Sequence, residues 1–256
     1  GYIAGAALSW NSRSEQSMPL AEFLNSYIFG DKSGIMGDLV LDLGRYCRFE
    51  EFPMLNMTTT MMAFQLGLRD KVMITAIMDR MISGFTGLMG EIAPEAVDGF
   101  KTGYDNRRPF DFEGLNEFLL EKEKLLAETR LTIPDSSLVI EEFLNAIRLI
   151  RLGSGLKKYI DGGTSLPPEE QITQLAALRE MGVDYLQVNK RLWLSRNNPG
   201  GYERSTAALN TLMDQIDEKI SQLKKPAVLR WTGRQIEKAG VAAAALYLKR
   251  SERKEG

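Results

Sequence analysis

Histidine is absent from this chain of 256 residues. Catalytic sites of the Ser-His-Asp and Cys-His types are therefore excluded, because both use an imidazole as the general base. The HExxH zinc motif and the Glu-x-x-His di-iron site of helical bundles are excluded for the same reason. We expect no catalytic residue, no metal site and no cofactor in this chain; an intact enzyme of unknown type is the weakest alternative.

Cysteine occurs once, as Cys47, so an internal disulfide is not possible. This usage fits a reducing compartment and no signal peptide is visible, so we expect a cytoplasmic protein. Long apolar runs are also missing. The best candidate, 239–248, is rich in alanine and falls short of the ~20 residues that a membrane-spanning helix needs, so we expect no membrane segment.

A strong charge of either sign is missing too, since the formal net charge is −2. The short basic clusters at 224–225 and 250–254 are typical of helix ends and a tail, and no nucleic-acid partner is expected. Hydrophobic residues make up 44% and charged residues 26%, which is ordinary for a soluble globular protein. The length allows one large domain or two small ones.

Apolar residues recur at helical spacing along most of the chain, and strand signals are few. Shorter helices are predicted before the polar loop 102–109, and long helices after it. The longest periodic segment, 165–197, has Ser165 as its predicted N-cap and two prolines in its first turn. A second long segment begins at Tyr202. The sequence therefore predicts an all-α, multi-helix bundle with long antiparallel helices towards its C-terminus and little or no β-structure.

Glycine-rich stretches at 153–158 and 161–165 match neither GxxxxGK[ST] nor the GxGxxG turn of nucleotide-binding folds, so no phosphate loop is expected. We interpret the first as a break in a helix and the second as a helix-to-helix loop. Carboxylates cluster at Asp38 and Asp42, at Glu141 and Glu142, and at Asp214, Asp217 and Glu218. Because these clusters lie on polar helix faces, solvated surface is favoured over acid–base chemistry.

Two places carry candidate binding residues. Trp10 and Asn11 end a segment of small apolar residues. Packing of Trp10 between domains is favoured, and the alternative is a sugar site, which a ring and an amide suit. Trp193, Arg196 and Asn197 end the longest helix, just before Pro199. Asn197 is predicted at the helix C-cap, and the turn is interpreted as an αα-hairpin that also offers a partner surface. The methionine-rich stretch 54–89 is either core or an adaptable binding surface.

The segments GYIAGAALSWN (1–11) and LWLSRNNPGGYERS (192–205), with the helices between them, resemble the C-terminal part of bacterial exo-β-N-acetylhexosaminidases of glycoside hydrolase family 20. In that family a (β/α)₈ barrel carries an adjacent Asp-Glu catalytic pair, and a mostly helical domain follows. The resemblance implies that residues 1–11 end a barrel and that residues 12–256 form a helical accessory domain, with a sub-boundary near 102–109. No catalytic residue of the family has a matching position here.

On this reading the chain is a piece of a longer enzyme, which its first residue, Gly1, also suggests. The domain is expected to pack on the upstream barrel of the same polypeptide, with a homodimer as a second expected partner. Trp10, Asn11, Trp193, Arg196 and Asn197 would then touch sugar or the domain interface. The alternative is a stand-alone helical protein that binds a protein partner or acts as a scaffold, with the methionine-rich half as its binding surface.

Overall fold

The computed structural model describes residues 19–50, 58–68 and 109–226, together with isolated positions between 80 and 97. Helices dominate these residues, and the extended pairing among them is one isolated bridge between Asp31 and Leu131. The all-α prediction is therefore confirmed. None of the described helices is long and apolar enough to cross a membrane.

In chain order the helices are α1 (Leu20–Phe23), which continues as a π-helical segment (Leu24–Phe29), α2 (Met36–Leu43), which continues as a 3-10 segment (Gly44–Phe49), α3 (Thr59–Leu66), α4 (Phe112–Glu128), α5 (Ser136–Asp161), a 3-10 turn (Gly163–Ser165), α6 (Pro168–Arg196) and α7 (Tyr202–Lys224). At ~1.5 Å of rise per residue, α6 is about 43 Å long. The predictions for residues 1–11, for the loop 102–108 and for the chain after Pro226 lie outside the described residues.

Helix α5 corrects one prediction, because it runs through the glycine-rich stretch that was interpreted as a break. A Cβ on Gly153 would overlap the side chain of Thr60 and lie 3.0 Å from Cζ of Phe64. A Cβ on Gly155 would lie 2.7 Å from Leu178. These glycines therefore let α3 and α6 approach the α5 backbone closely, which offsets the ~1 kcal/mol that each costs a helix.

The start of α6 differs from the prediction in its cap. Ser165 belongs to the 3-10 turn, and Pro167 occupies the N-cap position without a side-chain hydrogen bond to the helix. Pro168 is the first helical residue, where its missing N–H leaves no hydrogen bond unmade. The stretch 161–165 joins α5 to α6, as predicted, and its 3-10 turn takes the place of a side-chain cap.

Two apolar cores lie on opposite halves of α5. The N-terminal core joins the π-helical segment, α2, α4 and the first half of α5. Its buried residues are Phe29, Met36, Leu39, Leu43, Phe110, Leu115, Phe118, Leu119, Leu126, Val139, Ile147 and Ile150. The C-terminal core joins α3, the second half of α5, α6 and α7. Its buried residues are Ala63, Phe64, Leu152, Leu156, Tyr159, Ile160, Leu175, Leu178, Leu209, Leu212, Met213, Ile216 and Leu223.

A buried carboxylate joins the beginning of the fold to the α4–α5 connection. Asp31 accepts hydrogen bonds from the backbone N–H groups of Met36 at 2.9 Å and of Arg130 at 2.8 Å. It also accepts bonds from the N–H of Ile35 and from the N–H and hydroxyl of Ser33. Asp31 thereby caps α2 through its side chain and fixes α2 against a segment about a hundred residues later in the chain.

Candidate functional site

The turn between α6 and α7 carries three of the five candidate residues. Asn197 is the C-cap of α6, and its N–H donates to the carbonyl of Trp193 at 2.7 Å. Gly201 has a φ of 88°, a left-handed conformation that favours glycine, and α7 begins at the next residue. The predicted αα-hairpin is confirmed. Trp10 and Asn11, the other two candidates, lie outside the described residues.

Trp193 is half-buried and stabilises the turn from within. Its indole Nε1 donates to the carbonyl of Asn198 at 3.0 Å, and its ring meets Tyr202 edge-on at 6.1 Å between centroids. The Tyr202 hydroxyl in turn donates to the carbonyl of Leu186 at 3.0 Å. The polar atoms of both aromatic residues therefore serve the hairpin, while the Asn197 side chain is exposed.

Arg196 faces the beginning of α5. Its guanidinium binds both carboxylate oxygens of Glu142 and lies 2.8 Å from Asp135. The hydrogen bond to Glu142, and then the one to Asp135, raise the pKa of Arg196 above its ordinary value. One turn earlier, Arg191 lies 2.6 Å from Glu141. We call these five residues, Asp135, Glu141, Glu142, Arg191 and Arg196, the clasp.

The acidic clusters lie on solvent-accessible helix surface, as expected, and several of their members also pair with cations of other helices. Glu141 and Glu142 belong to the clasp, and Asp217 of α7 pairs with Arg179 of α6 at 2.5 Å. Asp42 of α2 pairs with Lys122 of α4 at 2.6 Å. These surface carboxylates link neighbouring helices through charge-assisted hydrogen bonds to partners from distant parts of the chain.

A cleft of about 490 Å³ between α2 and α4 is the candidate site that the sequence did not indicate. Leu39, Leu41 and Leu125 line it together with charged residues of both helices. Its base holds Lys122, whose residue surface is only 4% exposed and whose Nζ lies 4.8 Å from the centre of the Phe118 ring. The volume falls in the range of small-molecule pockets, but the walls carry charge of both signs.

The charges of this cleft are mutually neutralised. Burial disfavours the Lys122 ammonium, but its hydrogen bonds to Asp42 and Glu121 outweigh that cost, so the pKa of Lys122 is raised. The same bond to Lys122 is the largest cause of the lowered pKa of Asp42. Both groups are therefore held in their charged forms at neutral pH, which suits an ion pair and not a proton donor or acceptor.

The described residues offer no arrangement of three or more His, Cys, Asp or Glu side chains that would hold a metal ion. What they do offer is a hydrogen-bonded hairpin turn, an ion-paired clasp and a charged cleft. No family model, curated protein or solved structure matches this chain.

Proposed function

We propose that the chain is a non-catalytic helical accessory domain of a larger enzyme that resembles the β-N-acetylhexosaminidases of glycoside hydrolase family 20. The observation that carries the proposal is the turn Arg196-Asn197-Asn198-Pro199-Gly200-Gly201, the most specific part of the resemblance. Two further points support it. The all-α architecture agrees with the helical domain that follows the barrel in that family. The ion pairs described above join helices of this chain to one another.

The pairing of the carboxylates supports a non-catalytic role. A glycosidase needs two carboxyl groups in one cleft, one held protonated and one ionised. Here Asp42 forms an ion pair with Lys122, Glu142 with Arg196, and Asp217 with Arg179. The hydrogen bond from Lys122 lowers the pKa of Asp42, so this acid is not suited to protonate a leaving group at neutral pH, and the Glu142 and Asp217 carboxylates are occupied by arginine side chains.

The test uses the reading frame upstream of Gly1. We expect that frame to encode a (β/α)₈-like segment, and the longer polypeptide to release the chromophore from a chromogenic N-acetyl-β-glucosaminide. The chain of residues 1–256 alone is the matched control, and we expect no turnover from it. Normal turnover by the isolated chain, or an upstream frame without any barrel-like segment, would refute the proposal.

A second proposal is a stand-alone helical interaction protein, and exposed apolar side chains favour it. Leu41, at the α2–α4 cleft, is 37% exposed, and Met61, in the methionine-rich stretch, is 41% exposed. The substitutions Leu41→Ser and Met61→Ser distinguish the interaction protein from the accessory domain. In a scaffold they abolish capture of a protein partner by the isolated chain, whereas an accessory domain captures none before or after the change.

A further inference from the structure

The contact between α5 and α6 is apolar at one end and consists of ion pairs at the other. Towards the end of α5, Leu152 and Leu156 share the C-terminal core with Leu175 and Leu178 of α6. Towards the beginning of α5, ion pairs of the clasp join the two helices instead. Because the helices are antiparallel, the apolar half of the contact holds the start of α6 and the charged half holds its end.

Few apolar side chains hold the end of α6 in place. The last residues of α6 that pack against the C-terminal core are Tyr185 and Leu186, and after them Leu192 is the one buried residue, although the helix continues to Arg196. The ion pairs that accompany it are solvent-exposed: the side chains of Arg191 and Glu141 are 55% and 41% exposed, and that of Arg196 is 37% exposed. Exposed pairs of this kind contribute little and are weakened by salt.

A second observation on the same face of α5 is a buried polar atom without a hydrogen-bond partner. Asn145 lies three and four positions after Glu142 and Glu141, which places it one helical turn further along their face. The residue is only 3% exposed, yet its Oδ1 has no hydrogen-bond partner. A buried acceptor without a partner destabilises the closed packing, and water that reaches it removes that penalty.

We propose that the clasp is an ionic-strength-sensitive latch. When its pairs are screened, the turn between α6 and α7 opens away from the first turns of α5, and water reaches Asn145. Both apolar cores stay folded, because none of the residues of α6 after Leu186 belongs to either core. The device lies in the fold itself and does not depend on the accessory-domain proposal.

Hydrogen exchange followed by mass spectrometry tests the latch on the full chain. Exchange of the amides between 186 and 206 is compared at salt concentrations of about 0.01 M and about 1 M, where the Debye length falls from ~30 Å to ~3 Å. We expect exchange there to accelerate about three- to tenfold in high salt, as the loss of exposed ion pairs implies. Exchange between 172 and 180, beside the C-terminal core, should not change.

The variant Arg191→Gln/Arg196→Gln should exchange quickly between 186 and 206 at both salt concentrations. Arg179→Gln is the matched control, because Arg179 and Asp217 form an equally exposed pair between α6 and α7 outside the clasp. It should keep slow exchange at low salt and the full response to salt. Equal exchange of the unmodified chain at both salt concentrations, or the same acceleration in Arg179→Gln, would overturn the latch.

Discussion

Asp31→Asn keeps the size of a buried side chain and removes its charge. The Asp31 carboxylate is only 7% exposed and receives N–H donors from α2, from Ser33 and from Arg130. Asparagine offers one oxygen where aspartate offers two, and its amide group turns a donor towards other donors. The substitution therefore weakens both the N-terminus of α2 and its link to the α4–α5 connection.

The size of the effect follows from the pKa of Asp31. Burial opposes ionisation, but the hydrogen bonds from the Ser33 side chain and from the backbone of Met36, Arg130 and Ser33 outweigh it and lower the pKa from 3.8 to about 2. A shift of this size corresponds to roughly 2 kcal/mol of folding free energy at neutral pH. The misplaced amide donors add to the loss, so we expect Asp31→Asn to cost roughly 2–4 kcal/mol.

The sign of the pH dependence is fixed, because the folded pKa is the lower one. The contribution of Asp31 is complete well above pH 3.8 and is lost as the pH falls towards 2. At pH ~3 about half of it remains. The free energy of unfolding is measured by urea denaturation with circular dichroism. The difference between the two proteins should be about 1 kcal/mol smaller at pH ~3 than at pH ~7, because only the part that depends on ionisation declines.

Asp111→Asn is the matched control for this experiment. Asp111 is an exposed N-cap whose side chain accepts one bond, from Gly114 at 2.9 Å, and asparagine caps a helix equally well. We expect a change below ~0.5 kcal/mol. An Asp31→Asn protein as stable as the control, or an effect at pH ~3 equal to that at pH ~7, would show that the Asp31 carboxylate does not stabilise the fold in this way.

Two further substitutions test the C-terminal core. Gly153→Ala should lower the free energy of unfolding by about 1–3 kcal/mol, because the added Cβ meets Thr60. The control Gly162→Ala has open space around its Cβ and should change the stability little. Equal melting curves of the two variants would contradict the close approach of α3. Burial raises the pKa of Tyr159 to about 12. The difference in phenolate absorbance between the unmodified chain and Tyr159→Phe should therefore titrate near that pH. Titration near pH ~10 would refute the burial of Tyr159. Since the folded pKa is the higher one, the stabilisation by neutral Tyr159 is present below pH ~10 and declines as the pH rises towards 12.

Periodicity and turn chemistry were enough to predict the all-α class and the hairpin between the two longest segments of the C-terminal half. The α6–α7 hairpin followed from Pro199 and the two glycines after it, and the length of α6 followed from its apolar spacing. The course of α5 through Gly153 could not be predicted in this way, because glycine has the same local effect whether it ends a helix or admits a neighbour. Only the position of Thr60 decides between these two roles.

The candidate sites also differ in how far they could be predicted from the sequence. The sequence placed Trp193, Arg196 and Asn197 at one turn, since they are close in the chain. It could not place Lys122 in a cleft, because the partner that allows its burial, Asp42, is eighty positions earlier. The same holds for Arg196, whose acidic partners lie on another helix. Ion pairs between distant segments leave no periodic signal in the sequence, so a charged helix face predicts only that the face is exposed to solvent.

The sharing of α5 between two cores has a consequence for the order of events during synthesis. The apolar faces of α2 and α3 leave the ribosome well before α5, which supplies the partner surface for both. At ~5–20 residues per second, the seventy residues from the end of α3 to the start of α5 take on the order of several seconds. Neither core can therefore be completed before α5 has been synthesised.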